Sequence, residues 1–372
     1  MLNKFSVKNF KGFKDELVLD LSKTRIYEFN TECIQNNTVN KAIVYGYNGV
    51  GKSNLGLAVM DVVLHLTDKT KRIELYGNYL NGDSTSDLAE FIYWFKFDES
   101  TVRYAYGKKS PENVIYEFLY IDDIKIVSYD RRESRPLEIN LPGTETLNKD
   151  LGQIKISVLK YIKSNAVLTE SKESLIFDKL LSFIDNMLLF WQLMDRGYQG
   201  YEAASHTIFK DIIENEHFNN FKLFLEKAGL ESNISYKKEE DGNYHMYYQF
   251  QNQLIDFWGI ASTGTKSLVV FYYWLQRIQL ETASPSFVFI DEFDAFYHQS
   301  LSEFIVKELK KCKCQVILTT HNTSIMTNEL LRPDCYLLMK KNRIKSLPEL
   351  TKKDLREAHN IEKMYLAGAF DE

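Results

Sequence analysis

Eight consecutive residues, Gly46-Tyr47-Asn48-Gly49-Val50-Gly51-Lys52-Ser53, have the types and spacing that hold a chain of phosphates. Glycines let backbone N–H groups approach phosphate oxygens closely, and a helix starting just after them adds the positive end of its dipole. Gly46, Asn48, Gly49 and Gly51 supply the cradle, and Asn54 carries it into the helix. Lys52 has the reach to meet the β- and γ-phosphates, and the Ser53 hydroxyl suits a Mg2+ ion. Far along the chain, Phe287-Val288-Phe289-Ile290-Asp291-Glu292 is a short apolar run ending in two acids. At the C-terminal end of a buried strand, Asp291 suits the magnesium site and Glu292 suits a general base that polarises an attacking water. Two acids also stand on many solvated strand ends, so it is their pairing with the glycine-rich loop that gives them a catalytic reading. Val316-Ile317-Leu318-Thr319-Thr320-His321-Asn322 repeats the pattern, with His321 placed to contact a terminal phosphate or its water. Ala261-Ser262-Thr263-Gly264-Thr265-Lys266 opens an apolar helix. Such an opening is either an anion-binding end or an ordinary cap, and the local pattern fits both.

The elements that would position these residues are legible from periodicity. Ala42-Ile43-Val44-Tyr45 reads as a strand feeding the glycine-rich loop, and Asn54 to Leu66 as one helix with Leu55, Val59, Val62, Val63 and Leu66 on a single face. Residues 1–20 alternate as a hairpin, with Lys11-Gly12 near the turn. Between Phe91 and Asn140, four strand-like runs predict an antiparallel sheet. From Leu151 to about Leu230 the pattern turns helical, and Ile176, Leu180, Phe183, Ile184, Met187 and Leu188 make its clearest apolar stripe. Asp241-Gly242 reads as a hairpin turn. A helix around Lys266–Gln279 and strands at Phe287–Ile290 and Gln315–Thr319 alternate as a parallel α/β core does. The apolar runs before Gly46, Asp291 and Thr319 are therefore expected side by side in one parallel sheet.

With 372 residues, 44% of them hydrophobic, the chain can bury a large core in one or two lobes. A formal charge of -5 disfavours a generally basic nucleic-acid binder, so DNA contact would need a local patch. Cys312 and Cys314 lack a second pair at zinc spacing, and with Cys33 and Cys335 they read as reduced thiols. No apolar run approaches the ~18 residues needed to cross a bilayer, and MLNKFSVKNF has no signal-peptide character. A cytoplasmic protein with no membrane partner is the expectation.

The order of the motifs resembles the ABC/SMC-type ATPases, and among them the OLD (overcoming-lysogenization-defect) branch of bacterial anti-phage and abortive-infection systems. FSVKNFKGF, GYNGVGKS, ASTGTKSL, FVFIDEFDAFYHQ, TTHNTSIM and MYLAGAFDE carry the resemblance, and together they span nearly the whole chain. It implies an α/β P-loop NTPase head of ABC type, with a mixed sheet core, an antiparallel β subdomain and a helical insertion. Residues 1–145 would form head lobe I, 146–239 a helical arm, and 240–372 head lobe II. It implies ATP and Mg2+ as cofactors, with Lys52, Glu292 and His321 in catalysis and Ser53 and Asp291 at the metal. Ser262, Gly264 and Thr265 would be a signature motif acting in trans on nucleotide held by a second copy, so a homodimer or higher oligomer is implied. Asp294 and Ala295 would begin the D-loop, and His321 would be the switch histidine. Two departures stand out: Thr263 occupies a signature position usually held by glycine, and no glutamine can be assigned to the Q-loop. The chain ends about fifty residues after His321, without room for the Toprim nuclease of OLD proteins proper. Effector chemistry is therefore expected on a separate toxin or nuclease that this ATPase senses for and regulates. The alternative is a DNA-repair or recombination-mediator ATPase that clamps DNA. A transporter subunit fits less well with the long insertion and divergent signature. The helical stretch of about eighty residues is too short for the long heptad arms of an SMC machine.

Overall fold

The computed structural model describes residues 1–371 apart from 70–71, 134, 152–155, 193–196, 202–207, 215–216, 231–232, 241 and 280–283. β1 (Leu2–Lys8) and β2 (Leu17–Asp20) form the expected antiparallel hairpin, and an isolated bridge between Phe10 and Phe13 tightens its turn. A small ribbon of β3 (Ile34–Gln35) and β4 (Thr38–Val39) leads into β5 (Lys41–Tyr45), whose five residues are all buried.

The single helix expected over 54–66 is two helices, α1 (Lys52–Val59) and α2 (Asp61–Leu66), joined at Met60. The Tyr93 hydroxyl explains the break. It donates to Ala58 O at 3.0 Å and Val59 O at 3.2 Å, carbonyls that an unbroken helix would use four residues on. The antiparallel region then runs as a meander: β6 (Ala89–Phe97), β7 (Ser100–Ser110), β8 (Asn113–Ile121), β9 (Ile124–Asp130) and β10 (Glu138–Ile139). With β1 and β2 they make one sheet in the order β10-β9-β8-β7-β6-β1-β2.

The following stretch is less helical than its sequence periodicity predicts. α3 (Val158–Asn165) and α4 (Lys172–Asp185) are helices, but Met187 and Leu188 leave the apolar stripe for β11 (Met187–Gln192). Asn186 ends α4, its N–H shared among the carbonyls of Ser182, Phe183 and Ile184. After it, five apolar residues in a row can be buried on both faces, which suits a parallel strand better than one helix face. β11 pairs in parallel with β16 (Phe287–Ile290) and antiparallel with β12 (Gly197–Gly200). The segment 146–239 is thus not a purely helical arm, because part of it lies inside the core sheet.

α5 (Ile208–Glu214) and α6 (His217–Lys227) precede a three-stranded sheet of β13 (Ile234–Lys238), β14 (Tyr244–Gln249) and β15 (Leu254–Asp256). Of the Asp241-Gly242 turn, Asp241 lies outside the described residues; Gly242 has φ +82 in the β13–β14 connection. α7 (Phe257–Ile260) and α8 (Thr263–Ile278) follow, then β16, α9 (Gln299–Lys310), β17 (Gln315–Thr320), β18 (Tyr336–Lys340), β19 (Arg343–Ser346) and α10 (Ile361–Leu366).

The core sheet has the order β12-β11-β16-β17-β5-β18-β19. Its five inner strands pair in parallel, and β12 and β19 are antiparallel edges. The runs before Gly46, Asp291 and Thr319 are β5, β16 and β17, with β17 between the other two. α1 lies close on this sheet at Gly56, where a Cβ would stand 2.7 Å from the Phe289 ring and 3.2 Å from Leu189. α8 covers it with Trp274 against Phe190, ring centroids 5.2 Å apart. All four cysteines are free and buried, and no helix among the described residues is long and apolar enough to cross a membrane.

Candidate nucleotide site

Parallel strands aim their C-terminal ends the same way, so β5, β17 and β16 deliver three loops to one edge of the core sheet. The loop after β5 is the glycine-rich one. Gly46 is required by close approach: a Cβ there would lie 2.7 Å from Val50 Cγ2 and 2.9 Å from Met339 O of β18. Gly51 has φ +106, and a Cβ on it would stand 2.8 Å from the Phe13 ring of the N-terminal hairpin. Gly51 is also the N-cap of α1 and offers no side-chain cap, which leaves the helix's first N–H groups to a ligand. Lys52 Nζ donates to Gly46 O at 2.8 Å and Tyr47 O at 3.3 Å, folded over its own loop. Asn48 and Gly49 are exposed at the tip of the loop. Asn54 Nδ2 lies 3.1 Å from where a Cβ on Gly12 would be, beside the hairpin turn.

β16 presents Asp291, largely buried, and Glu292, exposed. The Asp291 carboxylate accepts from the Thr319 hydroxyl, and the Ser53 hydroxyl and Lys52 ammonium lie near enough to act on it electrostatically. Burial pushes the Asp291 carboxyl above the usual carboxylate range, and Glu292 adds to the rise. The Ser53, Thr319 and Lys52 groups oppose it. A hydroxyl and a carboxylate near each other at a helix start are hard oxygen donors, and they fit Mg2+. The ammonium and unclaimed N–H groups beside them fit a phosphate chain. ATP with Mg2+ therefore fits the residues present.

Thr319 Oγ1 donates to Asp291 Oδ1 at 2.6 Å and accepts from Glu292 N at 2.8 Å. Its neighbour Thr320 donates to Asp294 Oδ2 at 2.9 Å and accepts from Asn322 N at 2.9 Å. Burial raises the Asp294 carboxyl, offset by its bonds to Thr320 and Asn322 and by the nearby His321. His321 itself is exposed. The structure thus brings Lys52, Ser53, Asp291 and Glu292 together and ties Asp294 and His321 to the same strand end. Neither threonine was distinguishable in the sequence from any other residue closing a strand, and the sequence reading gave Phe13 no role of its own.

Ser262 caps α8, its Oγ accepting from Thr265 N at 3.1 Å and pairing with Thr265 Oγ1 at 2.8 Å. Within one chain, none of the described hydrogen bonds joins Ser262, Gly264 or Thr265 to the glycine-rich loop. They meet the segment from Asp294 to Tyr297 instead. A Cβ on Gly264 would be 3.0 Å from Phe296 O, and Tyr297 donates to Ser267 Oγ at 2.7 Å. Ala295 lies exposed in that segment, its N–H bonded to Glu292 O. The parallel register of β11 places Phe190 opposite Ile290, at the end of β16.

Several solved structures have similar shapes. The SMC head bound to the C-terminal winged-helix domain of ScpA is 15% identical, with a TM-score of 0.45, over 93% of this chain and 97% of that one. The SMC head domain from Thermotoga maritima is 14% identical, with a TM-score of 0.41, over 93% and 97%. The recombination mediator RecF is 14% identical, with a TM-score of 0.40, over 93% and 98%. No curated protein matches the sequence. A family profile does match, over residues 41–327, from the start of β5 to just beyond His321. The chain belongs to that family, described as "AAA domain, putative AbiEii toxin, Type IV TA system".

Proposed function

We propose that this chain binds ATP with Mg2+ and hydrolyses it to ADP and phosphate at the ends of β5, β16 and β17. The observation that carries the reading is the Ser53–Asp291–Thr319 cluster beside Lys52, with Glu292 exposed next to it. Lys52 and the α1 N-terminus bind and orient the phosphates. Ser53 and Asp291 would hold Mg2+, which supplies charge neutralisation on the phosphate oxygens when bound. Glu292 polarises the attacking water and takes up its proton, and His321 contacts the terminal phosphate. The ATPase head is built from 1–145 and 240–372, with 146–239 lending it β11 and β12.

Ser262, Gly264 and Thr265 complete the site in trans, in a homodimer that closes on nucleotide. The lack of any described hydrogen bond between them and the loop within one chain supports this, as do apolar side chains exposed at Tyr47, Ile260 and Phe296. The family description names a toxin of a type IV toxin–antitoxin system. That supports a defence role, and we infer that this ATPase acts there as sensor and regulator of a separate effector.

Glu292→Gln tests the chemistry. It removes the base but keeps the phosphate and metal ligands, so steady-state turnover is expected to fall ~10²–10⁴-fold with ATP still bound. Near-normal turnover would take Glu292 out of this role.

A further inference from the structure

We propose that Thr319 is a positioning residue that fixes the general base, an inference that rests on the role given above to Glu292. Glu292 has φ +43, in the left-handed region that non-glycine residues rarely adopt. Something must hold it there, and Thr319 does so from the adjacent strand with two groups. Its hydroxyl accepts from Glu292 N at 2.8 Å, and its carbonyl accepts from Phe293 N at 3.2 Å. The same hydroxyl donates its one proton to Asp291 Oδ1 at 2.6 Å. A single side chain therefore spans the peptide that joins the metal-side acid to the base. Asp291 N is tied on the other side to Phe190 O at 2.8 Å, so each N–H from 291 to 293 has a fixed partner.

At this size a hydroxyl plays both parts through one oxygen, because it donates to a carboxylate and accepts from an amide at once. Thr319 is fully buried, so water cannot take its place. Valine has almost the same shape but would leave Glu292 N without its acceptor and Asp291 without its donor. The left-handed turn would then be free to relax and carry the Glu292 carboxylate away from its working position. Thr319 touches neither the phosphates nor the water in this account. It acts through Glu292.

The test uses the full chain and MgATP, with Thr319→Val, Thr319→Ser, Glu292→Gln and the Glu292→Gln/Thr319→Val pair. Thr319→Val is expected to lower kcat roughly 10- to 100-fold, with KM within about threefold, because the loss lies in the reacting geometry. Thr319→Ser, which keeps the hydroxyl, is expected to restore most of the rate. In single turnover with labelled ATP, the double variant should be no slower than Glu292→Gln alone, as expected for residues acting as one unit. A folded Thr319→Val with the full rate would overturn the proposal, as would a serine that rescues nothing or losses that multiply. If circular dichroism shows Thr319→Val unfolded, Thr319→Ala against Thr319→Ser carries the same comparison. Retained turnover in Glu292→Gln is a different result, since it removes the base itself and not merely its support.

Discussion

Lys52 is buried, yet both of its described hydrogen bonds go to carbonyls of the loop just before it. Those carbonyls are neutral acceptors, and a phosphate oxygen is a charged one, so the ammonium gains by exchanging them for ligand. A hydrogen bond to a charged group contributes about 1.5–3 kcal/mol. Lys52→Ala is therefore expected to weaken ATP binding roughly 10- to 100-fold, read by titrating a fluorescent ATP analogue against the unmodified chain. An unchanged affinity would mean that the ammonium stays on its own loop when nucleotide binds. The contrast with Glu292→Gln is informative. One substitution should move binding and the other turnover, because in the proposed site Lys52 would meet the phosphates directly and Glu292 only the water.

Behind α1, a buried polar network fastens α2 to the antiparallel sheet. Asp61 accepts from Tyr79 and Tyr106 at 2.8 and 2.9 Å and pairs with Lys108 at 2.7 Å, both ions fully buried. One turn further on, His65 Nε2 lies 2.9 Å from the Tyr104 hydroxyl, which donates to Glu117 at 2.7 Å. The tyrosine oxygen then accepts from an Nε2–H, the neutral tautomer. Burial holds the His65 pKa well below 6.5, and the cations Lys108 and Lys160 add to the effect. The folded form thus stays neutral at a pH where the unfolded chain takes up a proton. Stability is full above about pH 6.5 and is lost as pH falls below it, by up to about 1.4 kcal/mol per pH unit for one group. Melting temperature is expected to drop between pH 7 and 5 more steeply in the unmodified chain than in His65→Gln. Equal slopes would remove His65 as the cause.

For the whole molecule, the question is whether one copy suffices. α8 offers its capped N-terminus beside the segment from Asp294 to Tyr297 and not to its own glycine-rich loop, so the composite-site proposal needs a second copy. Two inactive variants can test this together. Lys52→Ala and Ser262→Arg homodimers each spoil both of their sites, but a mixed dimer has one site with both lesions and one with neither. Mixing them should return part of the ATPase activity once subunits exchange. Full activity in a strictly monomeric preparation, or no recovery despite measured exchange, would leave Ser262 as a helix cap alone.

The sequence by itself determined the glycine-rich loop, the paired acids and the strands that deliver them. Glycine-rich loops, continuous apolar runs and terminal acids depend on local geometry, and local geometry follows from near neighbours in the chain. Asp291 and Lys52 were legible for that reason. What only the tertiary structure decided was pairing across long separations. Met187 and Leu188 continue a helical spacing, and only a place beside β16 makes them a strand. Met60 breaks a helix because Tyr93 arrives from another sheet. Thr319 is unremarkable in sequence, and it matters because the strand register sets its hydroxyl between Asp291 and Glu292. Hydrogen bonds that join distant segments leave no periodic trace, and they are what turn a set of suitable residues into a site.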